Sequence, residues 1–338
     1  MSDTIDRTSD APVGARNGRP GVRGAALSAI SVVVPENRVP NAPIARRIGV
    51  DEKWIVKRTG VVERPHATDE TVAQLSAEAA RRTLESSGLA PEAVDLVLVA
   101  TMTPDAITPN VAPMVIGELG LGTTAACDVG AACVGWLHAV SLAAGAVESG
   151  RSENVLVIGA DFMSRVCDHY DRSVAALWAD AAGCALVSRC AGGSRIGPLT
   201  LGTAPEGCRL IYASHEDGNV RMRGGETFGA AVDHLSNSTM LALEASDMTL
   251  EDVDLFAYHQ ANARIIRAVG ERLDLPEEKV VNCVERYGNS SAATIPVALF
   301  EAERDGRLVP GTRVLMSTFG AGFTWGAGVV EWGLPAEA

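Results

Sequence analysis

One segment of the chain combines a cysteine with the small residues that a tight turn requires. It reads CDVGAACVGW over residues 127–136 and runs into an apolar, small-residue segment over residues 137–147. The glycines and alanines predict a turn that places Cys133 at or near the first turn of a helix, where unpaired N–H groups and the helix dipole favour a thiolate. The pattern predicts a nucleophilic cysteine, and the alternative is a small buried cysteine with a structural role.

Two further polar motifs lie in the second half of the chain. The sequence YHQAN at residues 258–262 comes directly after an apolar segment, and YGNSSAA occupies residues 287–293. His259 and the two amide side chains that follow it predict a polar pocket at a strand-to-helix junction, with a structural hydrogen-bonding histidine as the alternative. Asn289 is a candidate for the same pocket, whereas the two serines after it fit a helix N-cap.

A glycine-dense segment near the C-terminus is a third candidate. It reads FGAGFTWGAG over residues 319–328, between apolar stretches that predict strands. The exposed N–H groups of such a loop are suited to binding an oxyanion. A phosphate-binding P-loop is the weaker alternative, because the Gly-Lys-Ser/Thr ending of that motif is absent.

Hydrophobic patterning predicts the elements that position these motifs. The run at residues 94–100 is almost continuously apolar, which is typical of a strand buried on both faces. Predicted strands occupy residues 22–34, 94–100, 124–129, 155–160 and 183–188; predicted helices occupy residues 41–50, 51–58, 71–87 and 109–119, and residues 165–182 are predicted to be partly helical.

The second half of the chain repeats the order of the first half. At an offset of 159 residues, seven of thirteen positions are identical between residues 84–96 and 243–255. The offset then falls to 156, where Gly150-Arg151 matches Gly306-Arg307. Identities at matching places of a helix–loop–strand unit indicate an internal duplication.

The alignment of the two halves predicts where three functional groups meet. It pairs Cys133 with Asn289, and it pairs Ala100, at the end of a buried strand, with His259. Sites in open α/β sheets lie beyond the carboxyl ends of the strands. We therefore expect Cys133, His259 and Asn289 to approach one another near a pseudo-twofold axis.

Composition narrows the class of protein. Of 338 residues 47% are hydrophobic, and 34 glycines with only 4% aromatic residues favour an α/β enzyme with a sizeable core. A net charge of −13 argues against general affinity for nucleic acid or for an anionic membrane, because both require a basic face. No apolar run is long enough for a transmembrane helix. Residues 1–22 predict a flexible tail and not a secretory signal, because they contain no apolar core.

The cysteines indicate the compartment. There are seven, an odd number, and none forms a CxxC pair with another. This pattern fits a reducing environment, so we expect a cytoplasmic protein with free thiols. No cysteine and histidine have the spacing of metal ligands, and we expect no bound metal.

Together the motifs resemble the ketoacyl synthase III family of the thiolase superfamily, whose members prime fatty-acid and some polyketide chains. The resemblance spans about residues 22–332 and rests on WIVKRTG at 54–60, Cys133, HQAN at 259–262, GNSS at 288–291 and FGAGFTWG at 319–326. It implies an α/β, thiolase-like fold of five layers, αβαβα, with two duplicated halves. The expected halves are residues 23–193, which carry Cys133, and residues 194–338, which carry His259 and Asn289.

The resemblance also implies a mechanism. Cys133 takes an acyl group from a thioester, and the backbone N–H groups of Cys133 and Ala321 stabilise the oxyanion. His259 and Asn289 then hold the carbonyl of a malonyl thioester while it loses carbon dioxide, and the carbanion attacks the acyl-cysteine. The implied substrates are acyl-CoA and malonyl-ACP or malonyl-CoA, and no cofactor is permanently bound.

Family positions around the reaction centre also have counterparts here. Those that bind coenzyme A and its pantetheine arm match Trp54, Arg58, Arg172, Gly224 and Asn262; those that line the acyl pocket match Thr108, Met163 and Trp178; those that dock an acyl carrier protein match Arg264 and Arg267. A core anchor is the alternative for Trp54, and a surface charge is the alternative for Arg172. The resemblance further implies a homodimer.

The chain departs from the family at several places. Trp136 stands where the family usually has phenylalanine, and Ala179-Asp180-Ala181 replaces a Gly-Asp-Gly run, so we expect a reshaped pocket floor. Gly229 and Glu271 stand where lysines for carrier docking are common. A CoA thioester is therefore an alternative to a carrier protein as the donor.

Three functions are compatible with the sequence. The first is the decarboxylative condensation that starts a fatty-acid or polyketide chain, including chains of secondary metabolism. The second is transfer of the acyl group from Cys133 to an alcohol, an amine or a carrier thiol without a new carbon–carbon bond. The third is a non-catalytic scaffold, which the complete Cys-His-Asn set disfavours. A thiolase and a plant-type polyketide synthase fit less well, because the glycine loop has neither a second cysteine nor a Gly-Phe-Gly-Pro-Gly ending.

Overall fold

The computed structural model describes residues 23–333, so the predicted tail at residues 1–22 lies outside the described residues. The strands in this range are β1 (Gly24–Val33), β2 (Arg38–Pro40), β3 (Glu63–Pro65), β4 (Leu96–Ala100), β5 (Ala125–Val129), β6 (Asn154–Phe162), β7 (Asp180–Cys190), β8 (Thr200–Thr203), β9 (Ile211–Ala213), β10 (Val220–Met222), β11 (Leu255–Tyr258), β12 (Arg313–Gly320) and β13 (Thr324–Glu331). The helices are α1 (Asn41–Ile48), α2 (Glu52–Thr59), α3 (Val72–Ser87), α4 (Val111–Leu119), α5 (Gly135–Glu148), α6 (Gly224–Ala245), α7 (Ala263–Arg272), α8 (Val284–Tyr287) and α9 (Thr294–Arg304).

The two large sheets have the same topology. The first has the strand order β1-β7-β6-β4-β5, and the second has the order β8-β13-β12-β11. An isolated parallel bridge between Phe256 and Val280 extends the second sheet at the place that β5 occupies in the first. In the first sheet β6, β4 and β5 pair in parallel, whereas β7 pairs antiparallel with β6 and with β1. In the second sheet β12 and β11 pair in parallel, whereas β13 pairs antiparallel with β12 and with β8. The duplicated, thiolase-like α/β fold that the sequence predicted is confirmed.

Five layers follow from the way these sheets are covered. Helices α5 and α9 pack between the two sheets, α3 and α4 cover the outer face of the first sheet, and α6 and α7 cover the outer face of the second. The packing of β4 on both faces explains why its sequence is continuously apolar. Val97 and Val99 pack with the outer helices, whereas Leu98 and Ala100 pack with α5, so both faces are buried.

Helix α3 illustrates how local sequence sets the ends of an element. Thr71 and Gln74 form a capping box at its start, in which each side chain accepts a hydrogen bond from the backbone N–H of the other residue. Gly88 ends the helix with a φ of 68°, a left-handed conformation that glycine adopts without strain. The predicted helix at residues 71–87 is confirmed.

The segment at residues 165–182, which was predicted to be partly helical, contains no α-helix. A 3₁₀ turn at Met163–Val166 is followed by turns, and β7 begins at Asp180. Two carboxylates favour turns here: Asp168 accepts the N–H of Tyr170 at 3.0 Å, and Asp171 accepts the N–H of Ser173 at 2.8 Å. Such local side-chain bonds to the backbone compete with a continuous helix.

The pairing of Cys133 with Asn289 is wrong by three residues. The turns that precede α5 and α9 are 3₁₀ turns at Ala132–Val134 and Ser291–Ala293, and each begins with a residue of positive φ, 45° for Ala132 and 52° for Ser291. These two positions are 159 residues apart, so the counterpart of Cys133 is Ala292. The offset changes inside the helix, because α5 has 14 residues and α9 has 11.

Candidate active site

A single cavity brings the three predicted catalytic side chains together. Cys133, His259 and Asn289 all line it. The rest of the lining is mostly apolar: Leu177, Trp178, Ile211, Met222, Gly224, Thr227, Phe228, Ala231, Leu235, Ala261, Asn262, Ile265, Phe319, Gly320 and Ala321.

Cys133 sits in the 3₁₀ turn that leads into α5, directly against the end of β12. A Cβ atom on Gly320 would lie 2.7 Å from the Cβ of Cys133 and 3.1 Å from its Sγ. The separation of 2.7 Å is shorter than real Cβ contacts, so a side chain at this position would require the strand or the cysteine to move. The glycine loop predicted from the sequence therefore packs against the candidate nucleophile.

The electrostatics of Cys133 differ from the sequence expectation. Burial raises the pKa of the thiol to about 11, and the neighbouring Asp161 carboxylate acts in the same direction. The hydroxyl of Ser291 and the N–H groups of Ala321 and of Cys133 itself act against this shift. The resting cysteine is thus a thiol, because burial outweighs the N-terminal end of the helix.

The same contacts show where an oxyanion would be stabilised. The N–H groups of Cys133 and Ala321 both lower the pKa of the Cys133 thiol, so both act at its sulfur. An acyl group bonded to that sulfur would place its carbonyl oxygen close to both donors. Two backbone donors fixed around a nucleophile form the type of site that stabilises a tetrahedral intermediate.

His259 follows β11 and is held at both ends. Its backbone N–H donates to the carbonyl of Ser317 at 2.9 Å, and its Nδ1 lies 2.6 Å from the hydroxyl of Thr294. Burial lowers the pKa of the imidazole to about 4, so the ring is neutral at physiological pH. With Nδ1 engaged by Thr294, Nε2 is the ring nitrogen left for a molecule in the cavity.

Asn289 is fixed through its backbone and through one side-chain atom. Its N–H donates to Leu177 at 2.8 Å, and its carbonyl accepts from Ala179 at 2.9 Å. The Oδ1 atom accepts the N–H of Ser291 at 2.9 Å. Because Oδ1 is occupied in this way, the NH₂ group of the amide is the part available as a donor to a molecule in the cavity.

Asp161 and Thr294 were not identified from the sequence. Asp161 is fully buried and accepts from the N–H of Met102 at 2.8 Å, from the N–H of Ala292 at 3.1 Å and from two threonine hydroxyls. A signal for it existed, because it is an acidic residue inside the apolar run NVLVIGADF. Thr294 carries no comparable signal, since threonine is common near the start of a helix.

The predicted residues for coenzyme A divide into two groups. Gly224 and Asn262 line the cavity, and the Nδ2 of Asn262 donates to the carbonyl of Arg58 at 3.1 Å. The guanidinium of Arg58 lies 5.5 Å from the ring centroid of Trp54, so α2 brings both residues near the cavity. Arg172 does not line the cavity; it donates to the C-terminal carbonyls of α1 at Ile48 and Gly49.

The predicted acyl-pocket residues are separated in the structure. Trp178 lines the cavity, whereas Met163 is buried in the same hydrophobic cluster without lining it. Thr108 lies on an exposed loop and does not line this cavity. Trp136 lies between the sheets, where its Nε1 donates to the carbonyl of Val157 at 3.2 Å.

The predicted changes to the pocket floor are therefore wrong. Neither Trp136 nor the Ala179-Asp180-Ala181 run lines the cavity. Asp180 instead accepts the N–H groups of Ala67 and Ser164, each at 2.8 Å, and so joins separate loops. The role of this carboxylate is structural.

The predicted docking arginines lie beside the cavity. Arg264 and Arg267 are both exposed on α7. The guanidinium of Arg264 lies 5.0 Å from the ring centroid of Phe228, which lines the cavity. Among residues 23–333 no cluster of His, Cys, Asp or Glu is suited to a metal ion, and no helix is long and apolar enough to cross a membrane.

Comparison with known proteins identifies a family. Residues 127–205 match the model of 3-oxoacyl-[acyl-carrier-protein (ACP)] synthase III, and residues 243–332 match the model of its C-terminal part. The chain is 37% identical over 321 residues to β-ketoacyl-[acyl-carrier-protein] synthase III of Campylobacter jejuni, which covers 91% of this chain and 98% of that protein.

Solved structures agree with this result. The crystal structure of 3-oxoacyl-[acyl-carrier-protein] synthase III from Aquifex aeolicus is 35% identical, covers 91% of this chain and 100% of its own, and superposes with a TM-score of 0.88. The priming β-ketosynthase of the R1128 polyketide biosynthetic pathway is 34% identical, covers 94% of this chain and 99% of its own, and has a TM-score of 0.89.

The contact between Gly320 and Cys133 predicts the effect of one added methyl group. We expect Gly320→Ala to lower the free energy of unfolding by about 1–3 kcal/mol, because the new Cβ overlaps the cysteine. Gly193→Ala is the control, since Gly193 lies outside the helices and a Cβ there meets nothing within 4 Å. Urea denaturation of both variants measures the difference. Equal free energies of unfolding would contradict the prediction, because they would show that the turn at Cys133 moves to accommodate the added methyl group at no cost.

The low pKa of His259 predicts a pH dependence of stability. Burial lowers this pKa from 6.5 to about 4. Between these two pH values the histidine is protonated in the unfolded chain but not in the folded chain. The free energy of unfolding therefore falls as the pH drops through this range. From about pH 7.5 to about pH 5, we expect the wild type to lose about 2 kcal/mol more than His259→Gln. Urea denaturation at the two pH values measures this, and identical losses would contradict a buried neutral imidazole.

Proposed function

Because this chain belongs to the β-ketoacyl-[acyl-carrier-protein] synthase III family, we propose that Cys133, His259 and Asn289 are its catalytic residues. The enzyme is a condensing ketosynthase that starts an acyl chain. The observation that carries the assignment is the meeting of these three side chains in one largely apolar cavity. The cavity supplies a thiol nucleophile, a neutral imidazole and an amide donor.

The first half-reaction loads the acyl group. Cys133 attacks the carbonyl carbon of an acyl thioester. The negatively charged oxygen that results accepts hydrogen bonds from the backbone N–H groups of Cys133 and Ala321. The carbon–sulfur bond to the donor breaks, and the leaving thiolate takes the proton that the cysteine releases. This exchange suits a thiol whose pKa burial has raised to about 11, because no free thiolate has to persist in the cavity.

The second half-reaction forms the carbon–carbon bond. The carboxylate of a malonyl thioester leaves as carbon dioxide, and its electron pair moves into an enolate whose oxygen accepts from His259 Nε2–H and Asn289 Nδ2–H. The enolate carbon attacks the acyl-cysteine, and the sulfur of Cys133 leaves. A proton from solvent restores the thiol, so the products are carbon dioxide and a β-ketoacyl thioester. An apolar lining favours loss of a charged carboxylate.

The substrates enter along the α2–α7 side of the cavity. We propose that Gly224 and Asn262 contact the pantetheine arm, and that Trp54, Arg58 and Arg172 bind the nucleotide end of coenzyme A outside it. Arg58 and Trp54 stand next to Asn262, which supports this path. Acyl-CoA is then the donor, and no resident cofactor takes part.

The extender substrate is proposed to be malonyl-ACP, with malonyl-CoA as the alternative. Arg264 and Arg267 present positive charge on α7, near the cavity, to an acidic carrier protein. The absence of lysines at Gly229 and Glu271 reduces this positive surface. The product would enter fatty-acid or polyketide synthesis, in primary or secondary metabolism.

We propose that the halves divide at residues 193 and 194, and that the enzyme works in the cytoplasm. The topology of β1–β7 repeats in β8–β13 on the two sides of that point, which supports the division. All seven cysteines are free in the structure. Cys133 has to remain a reduced thiol to accept an acyl group, and the cytoplasm keeps thiols reduced.

The chemical steps can be tested separately. Incubation with short acyl-CoAs should give an acyl adduct in the intact mass of the wild type and of Cys127→Ser but not of Cys133→Ala. Added malonyl-CoA or malonyl-ACP should then release carbon dioxide with a β-ketoacyl product. Asn289→Ala should slow decarboxylation about a hundredfold and loading much less, because it removes one oxyanion donor.

Each outcome of this experiment separates the functions left open by the sequence. No adduct from any acyl thioester would support a non-catalytic scaffold. An adduct that passes to an alcohol or an amine without carbon dioxide would support simple acyl transfer. Equal losses of loading and decarboxylation in Asn289→Ala would contradict the role assigned to that amide.

We further propose that the enzyme is a homodimer joined along β5. This strand is the edge of the first sheet, its residues are exposed or half-buried, and nearby Ile107 is 96% exposed. Thr108 belongs to the same loop and does not line its own cavity. If Thr108 contacts an acyl group, that group is in the partner subunit.

Chemical cross-linking tests this dimer. Cys127 is exposed at the centre of β5, so antiparallel pairing of two β5 strands about a twofold axis brings two Cys127 residues together. A short bis-maleimide should give covalent dimers of the wild type and of Cys208→Ser, but not of Cys127→Ser. A monomer in light scattering at micromolar concentration would overturn the proposal.

A further inference from the structure

The ring nitrogen that carries the imidazole proton determines whether His259 can donate a hydrogen bond to the substrate. A neutral imidazole carries a single N–H, and the nitrogen that bears it acts as a donor while the other acts as an acceptor. In the condensation proposed above, on which this inference rests, Nε2 has to donate to the enolate oxygen. The structure must therefore contain a group that keeps the proton off Nδ1.

Thr294 is the residue in contact with Nδ1. Its Oγ1 lies 2.6 Å from Nδ1 of His259 and 2.9 Å from the carbonyl oxygen of Ser291. The hydroxyl has one proton to donate. If that proton goes to Ser291, then Nδ1 has to donate to the hydroxyl and Nε2 is an acceptor. If it goes to Nδ1, then Nε2 carries the ring proton.

Two observations favour donation to His259. The carbonyl of Ser291 already accepts the backbone N–H of Thr294, so it keeps a partner when the hydroxyl turns away. The separation of 2.6 Å is within the range of bonds donated by hydroxyl groups and shorter than N–H···O bonds usually are.

We propose that Thr294 is a positioning residue that donates its hydroxyl proton to Nδ1 of His259 and thereby keeps the imidazole proton on Nε2, facing the malonyl thioester. The donor for the enolate is then in place before the substrate arrives. The arrangement also differs from a carboxylate partner, which would favour a charged imidazolium. A hydroxyl orients the ring and leaves it neutral.

The two half-reactions should respond differently to loss of this hydroxyl. Thr294→Val keeps the branched shape of the side chain and removes the donor. We expect it to slow malonyl decarboxylation at least about tenfold and to leave acyl loading of Cys133 within about threefold, because loading uses backbone donors. Thr294→Ser keeps the hydroxyl and should restore most of the decarboxylation rate.

The tautomer itself can be observed. In protein labelled with ¹⁵N at histidine, the His259 signals, assigned by their loss in His259→Gln, should show Nε2 protonated in the wild type and in Thr294→Ser. Thr294→Val should shift them toward the Nδ1-protonated form. A purely structural role of Thr294 would lower thermal stability without changing the tautomer.

Two results would overturn the inference. One is an Nδ1-protonated His259 in the wild type, and the other is unchanged decarboxylation in a folded Thr294→Val protein. Failure of the proposed function looks different, because the wild type itself would then release no carbon dioxide from malonyl-CoA or malonyl-ACP. The inference and the function on which it rests are thus tested by separate measurements.

Discussion

The active site depends on the close approach of each half of the molecule to the sheet of the other half. A Cβ on Gly159, in β6, would lie 2.4 Å from the carbonyl oxygen of Ala292, and a Cβ on Gly320, in β12, would lie 2.7 Å from the Cβ of Cys133. Each 3₁₀ turn is therefore seated on a strand of the opposite half, at a glycine. This crossing brings the start of α5 and the start of α9 to one place, and it positions Cys133 in the same cavity as His259 and Asn289.

The two crossings are related by the duplication, but they differ in the residue that meets the turn. In β6, the carboxylate of Asp161 accepts the N–H of Ala292. Its counterpart 159 residues later is Gly320, which has no side chain and lies against Cys133, the counterpart of Ala292. In one half the N–H of Ala292 donates to the buried carboxylate of Asp161. In the other half a glycine replaces that carboxylate, and the N–H of Cys133 is one of the two donors that we propose for the oxyanion of an acyl group.

The sequence predicted the parts of the site that depend on residue type and missed those that depend on long-range contacts. Cys133, His259 and Asn289 were recognisable because the proposed chemistry requires these side chains beside buried strands, and all three line one cavity. Thr294 and Asp161 act through partners that are 35 and 131 residues away in the chain, which no periodic pattern reports. The pairing of the two halves failed by three residues because the deletion lies inside a helix, where the apolar spacing tolerates it.

Ser291 explains how two donors from different elements are set relative to each other. It adopts a φ of 52°, a conformation that is uncommon outside glycine and costs on the order of 1–3 kcal/mol. Its N–H donates a hydrogen bond to the Oδ1 of Asn289, and its carbonyl accepts a hydrogen bond from the N–H of Thr294. The hydroxyl of Thr294 in turn lies in hydrogen-bond contact with Nδ1 of His259. The amide of Asn289 and, through Thr294, the imidazole of His259 are thus both oriented from one strained residue. A relaxed conformation at Ser291 would move both side chains, so the strain lies where it fixes the relative positions of the two groups that we propose as donors to the enolate.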